Sequence, residues 1–485
     1  MSSISSRPPI ALNRFYLLAL VAWQFAGFFT TQNIFPIFAS YTPDWKCGEN
    51  GTWGQDCSEY TRCKGEFIFA DSPFQSAVME FKWICDNRKW KMFFAQAQFA
   101  GVLTGTIVSG MLSDVFGRKP IAIASILGGI VHTYFLGTLR SVYTLLIFRF
   151  VIGLFTGGCV VAYYTYIMEL ILPQHRMLLR GFFNWGISRM MLTAVCWYAR
   201  EWRAATTVHA AVSLPGLFLI LLFPESPTWL HSQDRDDAVE ASEKRLAVLA
   251  GVDHVRVHRG PKVENKSLLT LLRSGLLKRL LVLWIMWFTA SACGFAIELS
   301  SNSIAGDLYL NQMLFGLFLF LGRIAMFFGD RYIPGFSRRA LHQGAQLAVC
   351  IVFAILAVLT LVHYKGISFL IFNLLGTIVV EYTWDACYLC ATEGAETSSR
   401  ASVTGSASLC ARAGSLLSPI INHLNHLWPA ATYTIVVGLG LVNLLQSFFF
   451  LVETKGVELG DVTIGGKRSG NIEEADEEEL QALKN

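Results

Sequence analysis

Ionisable side chains stand inside long apolar stretches of this chain, among them Arg189, Arg323, Glu381, Asp385 and Arg412. An ionisable group in a bilayer costs roughly 2.5–3.5 kcal/mol on insertion scales, so each should face a cavity or a partner. Arg412 has Ser408 four residues before it and Ser415 three after, which gives its helix one polar face. Arg189 lies 223 residues earlier and is nearly the repeat equivalent of Arg412. Glu381 and Asp385 are four apart and share a helical face. A planar guanidinium suits bidentate capture of a carboxylate or sulfate. The competing reading makes the two acids internal ion-pair partners of the arginines. Aromatic residues Trp284, Trp287, Phe288 and Phe295 fall at helical spacings nearby, either as packing or as a surface that stacks on planar organic groups. The chemistry open to such a set is the holding of a small charged molecule. No phosphate-binding loop, nucleophile–base constellation or metal set is visible, so the chain reads as a non-enzyme without cofactor or metal.

A second set of charges sits at the edges of the apolar stretches, and it repeats. Glu169 precedes Arg176 by seven residues, and Glu393 precedes Arg400 by seven, at an offset of 224. Asp114 with Gly117, Arg118 and Lys119 is echoed by Asp330 with Arg338 and Arg339. Glu225 in Pro224-Glu225-Ser226 is echoed by Glu453 in Glu453-Thr454-Lys455. The repetition implies two similar halves about an axis normal to a membrane, with a ligand site between them near the midplane. Acids and bases at one membrane edge can form an ion-pair network that holds the halves together there and parts on opening. Asp114, Arg118, Glu169, Arg176, Glu225, Asp330, Glu393, Arg400 and Glu453 are therefore expected to act as a gate.

The elements that position these groups are membrane helices. Of 485 residues, 53% are hydrophobic and only 15% charged, which excludes an ordinary soluble protein. The net charge of +4 comes without a basic stripe interleaved with aromatics, so no nucleic-acid partner is expected. Twelve spans of about 20 residues can be read. In the first half they run Phe15–Phe38, Met92–Leu112, Pro120–Leu139, Val142–Met168, Leu179–Ala199 and Arg203–Phe223. The second half offers Arg279–Leu299, Leu308–Phe328, Ala340–Val362, Ile367–Cys390, Ser402–Asn422 and Ala430–Val452. The first run lacks a small-residue cleavage pattern and reads as a span, not a signal peptide.

The organisation that follows is a terminal segment 1–14, a six-helix half 15–223, a central loop 224–278, a second six-helix half 279–452 and an acidic tail 453–485. An even number of spans places both termini on one side. Short loops on that side carry Arg118, Lys119, Arg176, Arg180, Arg331, Arg338, Arg339 and Arg400, against Arg140, Arg200, Arg203 and Lys365 opposite. The excess predicts cytoplasmic termini. Loop 39–91 is then extracellular. It holds Cys47, Cys57, Cys63 and Cys85, read as two disulfides with three pairings open, and a glycosylation sequon at Asn50.

Several stretches resemble the organic cation, anion and carnitine transporters of the major facilitator superfamily. They include Met79-Glu80-Phe81-Lys82-Trp83-Ile84-Cys85-Asp86, Gly110-Met111-Leu112-Ser113-Asp114-Val115-Phe116-Gly117-Arg118-Lys119 and Pro224-Glu225-Ser226-Pro227-Thr228-Trp229-Leu230. Trp287-Phe288-Thr289-Ala290-Ser291 and Gly306-Asp307-Leu308-Tyr309-Leu310-Asn311 are similar to its seventh helix and the following loop. The chain departs from the family where Gly294-Phe295 replaces paired tyrosines and Gly394-Ala395-Glu396 replaces Leu-Tyr-Pro. The resemblance implies an all-α major facilitator fold at the plasma membrane, working by alternating access on a small organic ion. A coupling ion or exchanged anion is the further partner it allows. It makes Arg149 structural, and it implies that a basic residue at Arg323 with an arginine at Arg412 marks an anion carrier. A carnitine-like zwitterion or an organic cation are the alternative substrates. A sensor built on the same fold is the alternative to a transporter.

Overall fold

The computed structural model describes residues 13–49, 51–55, 57, 60, 63, 66–171, 182–253, 268–273, 277–332, 337–364, 366–395 and 397–451, without the side chains of 269, 330, 331, 397 and 398. Asn50, Arg176, Glu453, the tail 453–485 and the Asp330 side chain lie outside the described residues.

Twelve long helices cross the molecule among the described residues. The first six are α1 (Arg14–Thr30), α2 (Lys89–Phe116), α3 (Arg118–Leu136), α4 (Val142–Leu170), α5 (Trp185–Ala199) and α6 (Trp202–Leu222). The second six are α7 (Leu277–Ser300), α8 (Leu308–Tyr332), α9 (Arg338–Leu361), α10 (Ile367–Glu393), α11 (Thr397–His423) and α12 (Ala431–Phe450). Nine of the described helices are long and apolar enough to cross a membrane. The other three are α1 with 17 residues, α5 with 15, and α11, which carries Arg400, Arg412 and a run of serines. The first span is broken as well. A tight turn at Thr31–Asn33 ends α1, and Pro36 opens a separate short helix, Pro36–Ala39. A proline at a helix start costs nothing, whereas inside a helix it removes a bond and clashes.

The face from which α1 starts is called the near face, and the face bearing loop 40–88 the far face. Each half packs by close helix crossings. In the first half α2 meets α4 with no side chain between them: a Cβ on Gly101 would lie 2.0 Å from the Phe150 carbonyl oxygen, and one on Gly153 2.1 Å from that of Gln98. In the second half α7 meets α11 the same way, with Gly414 against the Phe288 carbonyl oxygen.

On the far face, strands Trp45–Cys47 and Phe67–Phe69 pair antiparallel, and disulfides join Cys47 to Cys63 and Cys57 to Cys85. The loop is docked on α6: Arg203 pairs with Glu80 at 2.5 Å, and Trp202 Nε1 donates to the same carboxylate at 2.9 Å. On the near face the central segment forms helices Pro227–Ser232, Asp236–Ala250 and Leu268–Arg273. Ser226 caps the first of them, its Oγ accepting from Trp229 N.

Candidate functional site

Helix α11 carries the central arginine, and its packing on α7 sets where that arginine points. Besides the Gly414 contact, Ser418 Oγ donates to the Ala292 carbonyl at 3.1 Å. With that face of α11 committed to α7, Arg412 projects into a cavity of about 640 Å³ between the two halves. The wall runs from Phe295 and Glu298 at the far-face end, past Arg323, Glu381 and Arg412, to Glu169 and Ala401 near the near-face ends of α4 and α11. The cavity thus opens toward the near face. Its far end is sealed by Phe99 of α2 against Phe295 of α7, ring centroids 4.9 Å apart, packed with Ala95, Leu299 and Leu416.

The arginines differ in what balances them. Arg323 pairs with both Glu381 and Asp385, joining α8 to α10. Arg189 pairs with Glu298 at 3.1 Å, and its other Nη donates to Gln312 at 2.6 Å and Ser301 at 3.2 Å. Trp185 Nε1 donates to the same Glu298 oxygen at 2.8 Å. Arg149 is buried on Gln32, donating to its side chain and its carbonyl at 2.9 Å each. Arg412 has no carboxylate partner among the described residues. Its neighbours are the Tyr164 and Tyr388 phenols, and its Nε meets no acceptor there. The sequence left an internal pair between Arg412 and Glu381 or Asp385 open; those two acids go to Arg323.

Of the residues expected at the site, Trp287, Phe295, Arg323, Glu381, Ser408 and Arg412 reach the wall. The others do not line it. Arg189 is enclosed against α7 and α8, because Gly186 and Gly316 let α5 and α8 touch one turn away. Asp385 lies on Arg323, Ser415 donates to the Arg412 carbonyl of its own helix, and Phe288 gives its carbonyl to the α7–α11 crossing. Glu298 is a wall residue that the sequence reading passed over. Its signal was a lone carboxylate in Ala296-Ile297-Glu298-Leu299, subject to the same insertion cost as the others. Aromatic rings complete the surface. Trp23 stacks on Tyr164 at 4.3 Å, and Trp287, Trp384 and Tyr388 form a cluster in which Tyr388 sits 4.3 Å from Trp287.

The near-face charges form networks, and the pairs seen among the described residues each stay within one half. Arg118 bonds Asp114 at 2.5 Å and Glu169 at 3.3 Å, and Ser226 Oγ donates to Glu169 at 2.5 Å. Glu225 accepts from the backbone N–H of Lys119 and Ser226 at 3.0 and 2.8 Å. In the second half Arg338 pairs with Glu393 at 3.0 Å, in the place that Arg118 and Glu169 occupy in the first. Arg400 lies at the start of α11, its Nη2 3.5 Å from the Ala395 carbonyl. Among the described residues no near-face pair joins the halves in this conformation, and Arg176, Glu453 and the Asp330 side chain, also expected in the gate, lie outside them. The cavity separates the halves at this face, so the charges close on partners of their own half.

The family model described as "Sugar (and other) transporter" matches residues 17–464. An uncharacterized protein of Caenorhabditis elegans is 32% identical, covering 97% of this chain and 98% of its own. The organic cation transporter-like protein of Drosophila melanogaster is 26% identical over 88% of this chain and 79% of its own. Human solute carrier family 22 member 16 is 27% identical over 76% and 67%. Among solved structures, the inward-open xylose transporter XylE of E. coli superposes with a TM-score of 0.66 at 16% identity, covering 92% of this chain and 99% of that one.

Proposed function

We propose that this chain, which belongs to the sugar (and other) transporter family, moves small organic anions across the plasma membrane, with Arg412 as the capturing group. The fold and family are those of major facilitator transporters, which are not enzymes, and the relatives are of the solute carrier family 22 type. One observation carries the anion reading. Arg323 and Arg189 are each balanced by carboxylates, whereas Arg412 lines the cavity with none among the described residues.

A cation held without a counter-ion in a half-dry cavity favours an anion that brings its own charge. A charge-assisted hydrogen-bond pair there contributes about 1.5–3 kcal/mol. The cavity volume lies in the range that encloses drug-sized organic molecules, and Trp23, Trp384 and Tyr388 offer ring faces to a planar body. Alternating access follows from the two-half architecture, the near-face opening being one of its two states. The Lys and Arg excess makes that face the cytoplasmic one.

A second reading, a carnitine-like zwitterion, draws on Arg323. Its one positive charge faces two carboxylates, and Glu381 stands on the cavity wall, where it could meet a substrate cation. Uptake of labelled organic anions, zwitterions and cations into vesicles carrying the purified protein separates the two. Anion uptake that saturates and falls with Arg412→Ala supports the proposal. Uptake of cations alone overturns it, and no uptake of any class favours a sensor on the same fold.

A further inference from the structure

We infer that the far face holds a second anion site, the basic corner of a vestibule that takes the carboxylate of a small organic anion. The vestibule measures about 870 Å³ and lies between loop 40–88, the start of α2, the turn after α7 and the end of α11. The Phe99–Phe295 seal stands between it and the central cavity, so it is a separate compartment.

One corner is lined by three nitrogen bases, Lys91 from the first turn of α2 and His423 and His426 from the end of α11 and the turn beyond it. Arg88, the residue before α2, stands close behind as a charge that His423, His426 and Lys91 feel. Lys91 Nζ is fixed by donating to Thr42 Oγ1 at 2.8 Å, and Arg88 Nη2 by lying 3.2 Å from Cys57 Sγ. The two imidazole rings are 5.3 Å apart. No carboxylate pairs with any of the four among the described residues. Desolvation, then the charges of Arg88 and Lys91, lower the proton affinity of His426.

The vestibule's acids sit elsewhere. Asp44 and Asp71 are exposed on the loop wall, and Asp44 accepts from Gln55 Nε2 at 3.2 Å. Tyr41, the nearby phenol, feels Asp44 and Asp307 and no basic group. The two signs are thus held apart. Like charges crowded without a counter-ion form an anion trap, since an arriving carboxylate removes their repulsion. Two neutral imidazoles alone would suit a metal ion, but Arg88 and Lys91 repel one. Either half supplies part of the corner, so occupancy also bears on the closure of this face. The site stands independently of the central one, whatever the cargo.

The test uses purified full-length protein and sodium benzoate as probe, with total sodium held constant by chloride. Diethyl pyrocarbonate modification of His423 and His426 is followed by mass spectrometry. Benzoate should slow modification of both in a saturable way. Lys91→Gln should raise the half-protecting concentration by about tenfold or more, the share of a charge-assisted hydrogen bond. Lys91→Arg should restore protection, which rules out misfolding as the cause. Arg412→Gln should leave protection unchanged. Absent protection in the wild type, equal protection in Lys91→Gln, or protection lost in Arg412→Gln would each overturn the site.

Discussion

Arg189 of α5 and Glu298 of α7 form a buried ion pair, 3.1 Å between Nη1 and Oε1, that joins the two halves on the far side of the central cavity. Among the described residues no other ion pair crosses between the halves. The near-face ion pairs seen among the described residues, Arg118 with Asp114 and Glu169 and Arg338 with Glu393, each lie within one half. Among the described residues, the ion pair that links the halves thus lies at the closed end of the cavity.

Breaking that pair should release the far face. Arg189→Ala leaves Glu298 buried without its cation and held only by Trp185 Nε1, a loss of about 3–5 kcal/mol in the closed state. A cysteine placed at Phe99 and labelled by an impermeant maleimide from the far face reports the opening. Labelling should rise at least about tenfold in Arg189→Ala, and a double change with Glu298→Gln should return part of the way. Unchanged labelling in both would show that the aromatic seal alone holds this end.

Arg412 and Arg323 should fail differently. Arg412→Ala is expected to reach the membrane and lose about tenfold to hundredfold in apparent anion affinity. Arg412→Lys should recover only part, because an ammonium lacks the guanidinium fork. Arg323→Ala leaves two carboxylates without their cation, so surface expression should fall first. Adding Glu381→Gln and Asp385→Asn should restore it. Surface biotinylation beside uptake distinguishes the two, and well-expressed Arg412→Ala with unaltered affinity would remove the site assignment.

The near-face network should respond to its backbone as well as its charges. Gly117 has φ of +108°, and a Cβ there would lie 2.7 Å from Glu225 Oε2. Gly117→Ala is therefore strained twice, and should cost more than about 1 kcal/mol. Asp114→Asn removes only one bond to Arg118, and the variant should be made normally yet turn over slowly. Thermal unfolding of both, with uptake rates for the second, checks this. A normal rate would leave Asp114 as a topology signal only.

The far-face loop should behave as an oxidised extracellular segment. Non-reducing peptide mapping should recover Cys47 linked to Cys63 and Cys57 linked to Cys85. Removing either bridge should destabilise the loop by about 2–4 kcal/mol. Glycosidase digestion should shift the wild type but not Asn50→Gln. A shift that survives the substitution would reverse the orientation.

The helices were legible because a membrane span needs about 20 apolar residues, and each stretch between charge clusters supplies them. The break after α1 was less so, since Pro36 inside an apolar run looks continuous until the turn at Thr31–Asn33 is seen. Cysteine count implied two bridges, but three pairings satisfy four cysteines equally. The polar face of α11 pointed to Arg412, while the owner of Glu381 and Asp385 depended on how α8 faces α10, which no one-dimensional spacing encodes. Arg189 was expected opposite Arg412 by repeat symmetry. Symmetry places backbones, and the partner Glu298 comes from a helix whose repeat mate, α1, has no acid in the matching stretch.

Helix α2 has 28 residues, about 42 Å of continuous helix at 1.5 Å per residue. Along that length it bears Lys91 in the vestibule, Phe99 in the seal and Asp114 in the near-face network. Its crossing with α4 leaves no side chains to give way. Phe99 lies within that crossing, whose contacts run from Gln98 to Gly105, so it parts from Phe295 only if α2 and α4 move as one body, carrying Lys91 and Asp114 along at its two ends. Opening one side of the protein and shutting the other are then a single displacement, not two events needing coordination.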